Sequence, residues 1–511
     1  MLRSPNEFRA LMSALLIGLS VFTGSASAGR ADAQASSTKA RPSRSAKTAS
    51  VDDQTISALM VSDIHFDPFH DPAKIQQLVA APAEKWSTIL ASPSSQDQQK
   101  EFDALQQQCH ARGVDTPYLL LQSSLQAMHT ETPKARFMTV SGDLIAHAFP
   151  CRYKALVPGS EPGGYQAFVL KTIAFVIGEL RSSFPGVPVY VALGNNDSGC
   201  GDYQLDTASE FLSQAGKILA EGLPASEKQN AIKQFAEAGN YSVKMALPMR
   251  DTRLIVINDL VLSAKYTTCA GVPNAAAGNA EMEWLKQQLA DARQFNQKVW
   301  VMGHIPPGVN PYATISKMKN MCTNAKPDMF LPSDQLSNAL IEGGDTIRLG
   351  IFAHTHMDEM RLLEADASDG FPTQSTPPQR VLIKMVSSIS PVDGNNPSFT
   401  VANVNPATAV LQDYEVIAAS NQTGVDTKWS KEYDYAQTYH EAEFSTGAVR
   451  HLMAEFKEDR DSKLQISNDY MRNYFVGDRS FELKPFWPQY VCALTNATAR
   501  SYAACVCSNG K

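Results

Sequence analysis

Little in this chain points to a membrane or to nucleic acid. Past the first thirty residues no apolar run is long enough to cross a bilayer. Charged residues make up only 19%, the net charge is −7, and no dense Lys/Arg stripe marks the globular part, so nucleic-acid binding is not expected. A local basic patch is compatible with that mean charge, which leaves membrane contact open. No internal repeat is evident, which argues against a solenoid. Histidine is scarce, at ten in 511 residues. What the chain does have is an ordinary globular balance, 43% apolar, with ample material for a core. Its length suits one large domain with appendages, or two to three domains.

The N-terminus reads as an export signal over 1–28. Arg3 and Arg9 make a weakly basic start, an apolar run follows from Ala10 to Phe22, and Ala26-Ser27-Ala28 offers a cleavage site. The run is short for an uncleaved anchor. Residues 29–54, rich in Ala, Ser, Thr, Lys and Arg, lack any apolar period and are expected to be a disordered linker. The eight cysteines form an even set, which in an exported chain predicts disulfides. Cys505-Val506-Cys507 is too tightly spaced for a usual zinc knuckle, and spacing does not fix the pairing. A secreted, periplasmic or lumenal location follows. Asn240, Asn421 and Asn496 begin glycosylation sequons, which matter only in a eukaryotic source.

Several short β-rich runs each stop at a polar motif. Residues 55–62 stop at Asp63, 137–141 at Gly142-Asp143, 187–193 at Gly194-Asn195, 298–302 at Gly303-His304, and 348–353 at His354. Apolar runs bounded by turn residues predict buried central strands, and open α/β sheets bind ligands at their carboxyl edges. Helical spacing covers 117–128, 164–183 and 279–295, the last behind Asn279 as a cap. The alternation predicts an α/β fold with helices on both sheet faces. Runs at 253–260, 380–388 and 398–403 predict a second sheet. A composition shift near Asn405-Pro406 divides a catalytic domain, 55–405, from a C-terminal part, 406–511, with helices at 440–457 and 463–474. Residues 68–115 suggest a helical insertion near the site mouth.

The five motifs are Asp63-Ile64-His65, Gly142-Asp143, Gly194-Asn195-Asn196-Asp197, Gly303-His304 and His354-Thr355-His356. Together they hold three carboxylates, two carboxamides and four imidazoles, the donors that hard-to-borderline divalent metals take. A carboxylate can bridge two metals, and a pair about 3.5–4 Å apart can stabilise both the attacking and the leaving oxygen of a phosphoryl group. Any one block alone reads equally well as a cap, a turn or a core histidine; the ordered set argues for a metal centre.

In that order the blocks resemble the calcineurin-like metallophosphoesterases, over about residues 56–405. Asp143-Leu144-Ile145-Ala146-His147, Gly303-His304-Ile305-Pro306-Pro307-Gly308, His354-Thr355-His356-Met357-Asp358-Glu359 and the Ser388 to Pro397 stretch resemble the acid sphingomyelinase-like phosphodiesterases more narrowly. The resemblance implies a four-layer α-β-β-α sandwich of two mixed sheets with a small helical C-terminal subdomain. It also implies that Asp63, His65, Asp143 and His356 hold one metal, and Asp143, Asn195, His304 and His354 the other. Two divalent ions are expected, with zinc favoured and manganese or iron compatible.

Two departures stand out. Where the family carries Gly-Asn-His, this chain has Asn196, which can donate a hydrogen bond but cannot deliver a proton at neutral pH. His147 is then the candidate acid, with Asn196 a donor to phosphoryl oxygens. The same substitution suits a good leaving group, and Gly-Asn-Asn-Asp also resembles endopolyphosphatase-like relatives. Second, the cysteine-rich lipid-handling domain that precedes acid sphingomyelinases has no counterpart in 29–53. The expected function is metal-dependent phosphodiester hydrolysis, sphingomyelinase-like, through a hydroxide bridging the metals. An endopolyphosphatase or nucleotide anhydride hydrolase stays open, as does a metal-containing phosphate-binding protein without activity. The expected partner is a small-molecule or lipid phosphoester substrate, and the chain is expected to be a monomer.

Overall fold

The computed structural model describes residues 55–508 apart from 162, 318, 324, 366–378 and 478. The expected export signal and linker lie outside the described residues. Two six-stranded mixed sheets form the core. In the first, β1 (Ile56–Val61), β2 (Met138–Val140) and β3 (Val189–Val191) run parallel. Three antiparallel strands, β10 (Ser398–Asn405), β11 (Val410–Ala419) and β12 (Trp429–Asp434), extend it beyond β1. In the second, β5 (Thr252–Val256), β6 (Lys298–Met302), β7 (Ile347–Phe352) and β9 (Arg380–Met385) are parallel. Its edges are the antiparallel β4 (Tyr241–Lys244) and β8 (Glu359–Glu364).

The parallel strands are apolar because both of their faces are covered. One face meets the other sheet: Phe137 lies edge-on to Trp300, 5.6 Å between ring centres, and Trp300 Nε1 donates to the Ala409 carbonyl at 2.7 Å. The Tyr241 hydroxyl donates to the Val191 carbonyl (3.0 Å) and accepts its N–H (2.9 Å). The outer faces take helices Tyr118–Glu131 and Gly164–Ser183 on one side, Ala275–Gln294 and Gln335–Glu342 on the other. The expected four-layer α-β-β-α sandwich is therefore the observed one.

The differences from the sequence reading are informative. The run at 398–403, expected in a second sheet, is β10 of the first, paired antiparallel with β1 from Ile56↔Val404 onward. A strand's own residues encode its faces, not its distant partner. The run at 253–260 ends as strand at Val256, and Asp259–Leu262 is a 3₁₀ turn. The helix expected from Asn279 begins at Ala275, because three alanines extend it toward Asn274. The composition shift at Asn405-Pro406 is a hairpin tip, where Asn405 Oδ1 accepts the Ala407 and Thr408 N–H groups; β11 and β12 follow it. Turn residues and domain linkers share one composition. The helix expected from His440 starts at Thr446 behind Ser445, whose Oγ accepts from Ala448, while His440 is left-handed with φ 56°.

Helices Thr446–Glu458, Gln465–Tyr474, Trp487–Thr495 and Ala499–Ser508 pack near the β8 edge. Lys384 of β9 is fully buried and ion-paired with Asp358, which also accepts the Tyr433 hydroxyl at 2.7 Å. Glu359 pairs with Arg361 and accepts the Tyr490 hydroxyl at 2.6 Å. Removing one partner of a buried pair strands the other charge, at about 3–5 kcal/mol. Lys384→Met is expected to lose that much stability in urea unfolding; a loss under ~1 kcal/mol would show the pair to be incidental. Four disulfides use every cysteine: 109–151, 200–269, 322–507 and 492–505. Asn240 is buried with its amide on Glu281 (2.6 Å), so its sequon is inaccessible to a glycan in the folded chain.

Candidate metal centre

Each motif sits just past the carboxyl end of a parallel strand: Asp63 and His65 after β1, Asp143 after β2, Asn195 after β3, His304 after β6, His354 after β7. The loops are tight. Asp63, His65, Asp143, His354 and His356 all have positive φ, between 43° and 72°, a conformation costing on the order of 1 kcal/mol or more per non-glycine residue. Strain of this kind clusters at functional sites. The glycines of the motifs are forced by proximity: a Cβ on Gly142 would lie 2.7 Å from His304 Nδ1, and one on Gly194 would overlap Asp143 Oδ1.

All seven expected metal ligands meet in one nest. Asp143 Oδ2 lies 3.4 Å from His65 Nε2 and 3.2 Å from His304 Nε2, so this one carboxylate faces both halves. On one side, Asp63 Oδ1 is 3.7 Å from His65 Nε2 and 3.4 Å from His356 Nε2. On the other, His304 Nε2 is 3.1 Å from Asn195 Oδ1 and 3.2 Å from His354 Nδ1. Several of the outward atoms are already engaged. His65 Nδ1 and His304 Nδ1 meet the Ile145 and Ser141 carbonyls, each at 2.9 Å, which aims both Nε2 lone pairs inward. Asn195 Nδ2 donates to Asp202 at 2.7 Å, which turns its oxygen inward. The Tyr203 hydroxyl meets His354 Nε2 at 3.3 Å.

The nest fits divalent cations. Asp63 Oδ1 and His65 Nε2 are buried with no hydrogen-bond partner, and buried polar atoms are rarely left so without a ligand. Asp143, His304 and His354, and likewise Asp63, His65 and Asp143, bring ligand atoms within 4.8 Å of one another. With only protons to balance it, the nest is strongly polarised. Burial opposes charge on His65, but Asp143, Asp63 and Asp115 carry it up to about 9. His304 goes up to about 10 against burial, through Asp143 and Asp63. Burial and the His304 charge push His354 down to about 3, and burial pushes His356 down to about 4.

The sign of the pH dependence follows. His65 and His304, raised above their unfolded values, stabilise the metal-free fold below about pH 6.5, and that contribution is lost as pH rises through 9 to 10. A metal needs the same nitrogens unprotonated, so its affinity runs the opposite way and rises with pH. Metal titration of the stripped protein is expected to release protons at pH 7, read as a buffer-dependent heat in calorimetry. A heat independent of buffer would contradict the protonated imidazoles.

His147 is in the site, its ring stacked on His65 with centres 3.9 Å apart. Its Nδ1 meets Asp115 Oδ1 at 2.9 Å and its N–H donates to Asp115 Oδ2 at 2.8 Å. Asp115 is buried and also accepts the Ser390 hydroxyl; His147 holds it well below the usual carboxylate range although burial opposes this. Sequence reasoning missed Asp115. It closes the insertion at 68–115, whose short helices pack through Trp86 and return beside His65. Its only local signature, an acidic residue shortly before Pro117 and a helix, is that of a cap. Asn196 also lies in the nest, but both its N–H and its side-chain amide donate to Asp143, each at 2.8 Å. Two further buried carboxylates shape the loops. Asp197 accepts the Leu144, Ile145 and Gly194 N–H groups. Asp259 accepts those of His304 and Ile305.

No family model matches the chain. Curated relatives align along most of both lengths. Mouse acid sphingomyelinase-like phosphodiesterase 3b is 24% identical over 459 residues, 87% of this chain and 89% of that one. A mouse cyclic GMP-AMP phosphodiesterase is 26% identical over 462 residues (87% and 90%). Sphingomyelinase phosphodiesterase D of Dictyostelium discoideum is 26% identical over 409 residues (77% and 80%). Among solved structures, a dimetal phosphatase from Danio rerio aligns with 75% of this chain at 12% identity and a TM-score of 0.38. The two-sheet fold gathers carboxylate, carboxamide and imidazole donors at its strand ends, and the relatives that align with it are phosphodiesterases. The chain is a homologue of the acid sphingomyelinase-like phosphodiesterases, and it is a metal-dependent phosphoester hydrolase.

Proposed function

We propose that the protein is an exported phosphodiesterase carrying two divalent metals, zinc foremost. The observation behind this reading is Asp143, whose one carboxylate oxygen faces His65 and His304 on opposite sides of the nest. Asp63, His65, Asp143 and His356 would hold one ion, and Asp143, Asn195, His304 and His354 the other. Four imidazoles among the donors suit zinc. When bound, such a pair supplies Lewis-acid charge to a phosphoryl group and lowers the pKa of water.

The chain's own groups do the rest. Asn196 holds Asp143 in place with two hydrogen bonds. Asp202 and Tyr203 orient Asn195 and His354. His147, its Nδ1 taken by Asp115, has Nε2 left to deliver a proton to the leaving oxygen. All these groups come from one chain, so a monomer suffices. Eight cysteines in four bridges support an oxidising compartment, in keeping with the export signal read at 1–28. No helix among the described residues is long and apolar enough to cross a membrane. A panel of bis-p-nitrophenyl phosphate, sphingomyelin, ATP and polyphosphate, run with zinc and with manganese, tests the reading. Turnover of the diesters supports it. Two bound metals without turnover of any substrate would sink it. The second reading, an anhydride hydrolase, is favoured by Asn196 standing where a proton donor is usual; it requires ATP or polyphosphate to be the better substrate.

A further inference from the structure

The cations around the nest are not equivalent. On the His356 side, Arg112 is ion-paired with Asp393 at 2.6 Å, and Asp393 in turn lies 3.7 Å from His356 Nδ1. Arg152 is buried against Asp67, and Arg361 against Glu359. On the His354 side, Lys265 has no such partner: among the described residues no carboxylate lies within ion-pair distance of its Nζ. It is exposed, and its ammonium sits over the ring of Tyr203, 4.6 Å from the centre. That tyrosine is 7% exposed and meets His354 Nε2 through its hydroxyl. The Lys265 charge acts on the Asp202 carboxylate without forming an ion pair with it, and one tyrosine ring separates this ammonium from the metal nest.

The platform is built rather than loose. Leu205 N–H donates to the Thr267 carbonyl (3.0 Å) and Thr267 N–H to the Tyr203 carbonyl (3.1 Å). Tyr266 donates its hydroxyl to the Leu205 carbonyl (2.9 Å), and Cys200–Cys269 ties the same two loops covalently. The loop carrying Lys265 is thus fixed to the loop carrying Asp202 and Tyr203. An ammonium held over an aromatic face keeps its position while its outer side stays open to an anion.

We propose that Lys265, seated on Tyr203, is a substrate-binding residue that takes a second phosphate group next to the one being cleaved. The inference rests on the phosphoesterase reading above and narrows its substrates. A polyanion, such as a nucleoside polyphosphate or an inorganic polyphosphate chain, gains a charge contact there. A choline head group, with its fixed positive charge, is repelled.

The test compares Lys265→Ala, Lys265→Glu and Lys265→Arg with the wild type, all metal-loaded and matched in thermal midpoint. Substrates are ATP, tripolyphosphate and bis-p-nitrophenyl phosphate, the last carrying a single charge. The ratio of kcat/KM for ATP over the diester is expected to fall about tenfold in Lys265→Ala, further in Lys265→Glu, and less than about threefold in Lys265→Arg. The change should sit in KM and shrink at high salt. An effect on ATP alone assigns the contact to a nucleotide; an equal effect on tripolyphosphate assigns it to phosphate itself. A ratio unchanged in Lys265→Ala overturns the proposal. Should the wild type cleave none of the three, the phosphoesterase reading fails separately. Calorimetric affinity for tripolyphosphate then still decides Lys265, a tenfold loss supporting it and an unchanged affinity overturning it.

Discussion

Asp143→Asn is expected to lower kcat/KM by at least about 10³-fold, some 4 kcal/mol of barrier, and to reduce the metal content below two per chain. Among the described residues, Asp143 is the only carboxylate placed between the two halves, with Oδ2 close to both His65 and His304. An asparagine there carries no charge and one acceptor oxygen in place of two. It would also meet the Asn196 amide, a donor now satisfied by Asp143, with its own amide. Asp143 dominates the upward shifts of His65 and His304, so the variant should also bind fewer protons in the stripped state. Elemental analysis of metal content beside steady-state kinetics checks this. Two metals per chain together with activity within tenfold of wild type would show that Asp143 is not shared. The metal-free variant should stay folded, since the core lies in the sheets behind the loops.

Asp115→Asn is expected to lower kcat about 10²–10³-fold with little change in KM. Asp115 is a positioning residue that acts through His147. It accepts from His147 Nδ1 and from the His147 N–H, and so fixes both the ring and its loop. Asparagine keeps the shape but removes the charge. A role in proton delivery has a signature that simple misfolding lacks. The loss should be largest for substrates with poor alkoxide leaving groups and small for p-nitrophenolate, which departs without a proton. His147→Gln should show the same pattern, and the double variant should be no worse than either single one, because the two residues act as a unit. Losses that are equal for all leaving groups would remove His147 and Asp115 from proton transfer.

The metal nest was legible because its signals are local. Strand-ending runs, the glycines at 142, 194 and 303, and the Asp, Asn and His residues after them are adjacent in sequence. The glycines could be read only as turn formers; the structure adds that Gly142 and Gly194 leave no room for a Cβ against His304 and Asp143. Asp115 was not legible, because it is 32 residues from His147 and has no motif of its own. Asn196 was visible but its direction was not. A carboxamide can donate to a phosphoryl oxygen or to a carboxylate, and only packing placed Asp143 against it.

By itself the sequence marked the strand ends, the helices read at 117–128 and 164–183, and the candidate donors that the structure brings together. These depend on periodicity and side-chain chemistry, which neighbours along the chain fully carry. The tertiary structure decided the rest. It assigned β10 to the first sheet, turned the Asn405-Pro406 shift into a hairpin tip, buried the Asn240 sequon and paired the eight cysteines. It also brought Asp115, Asp202 and Tyr203 to the nest and stood Lys265 over the ring of Tyr203. Each of these depends on contacts between residues far apart in sequence. Such contacts are fixed by the joint packing of two sheets, which no local run of residues encodes.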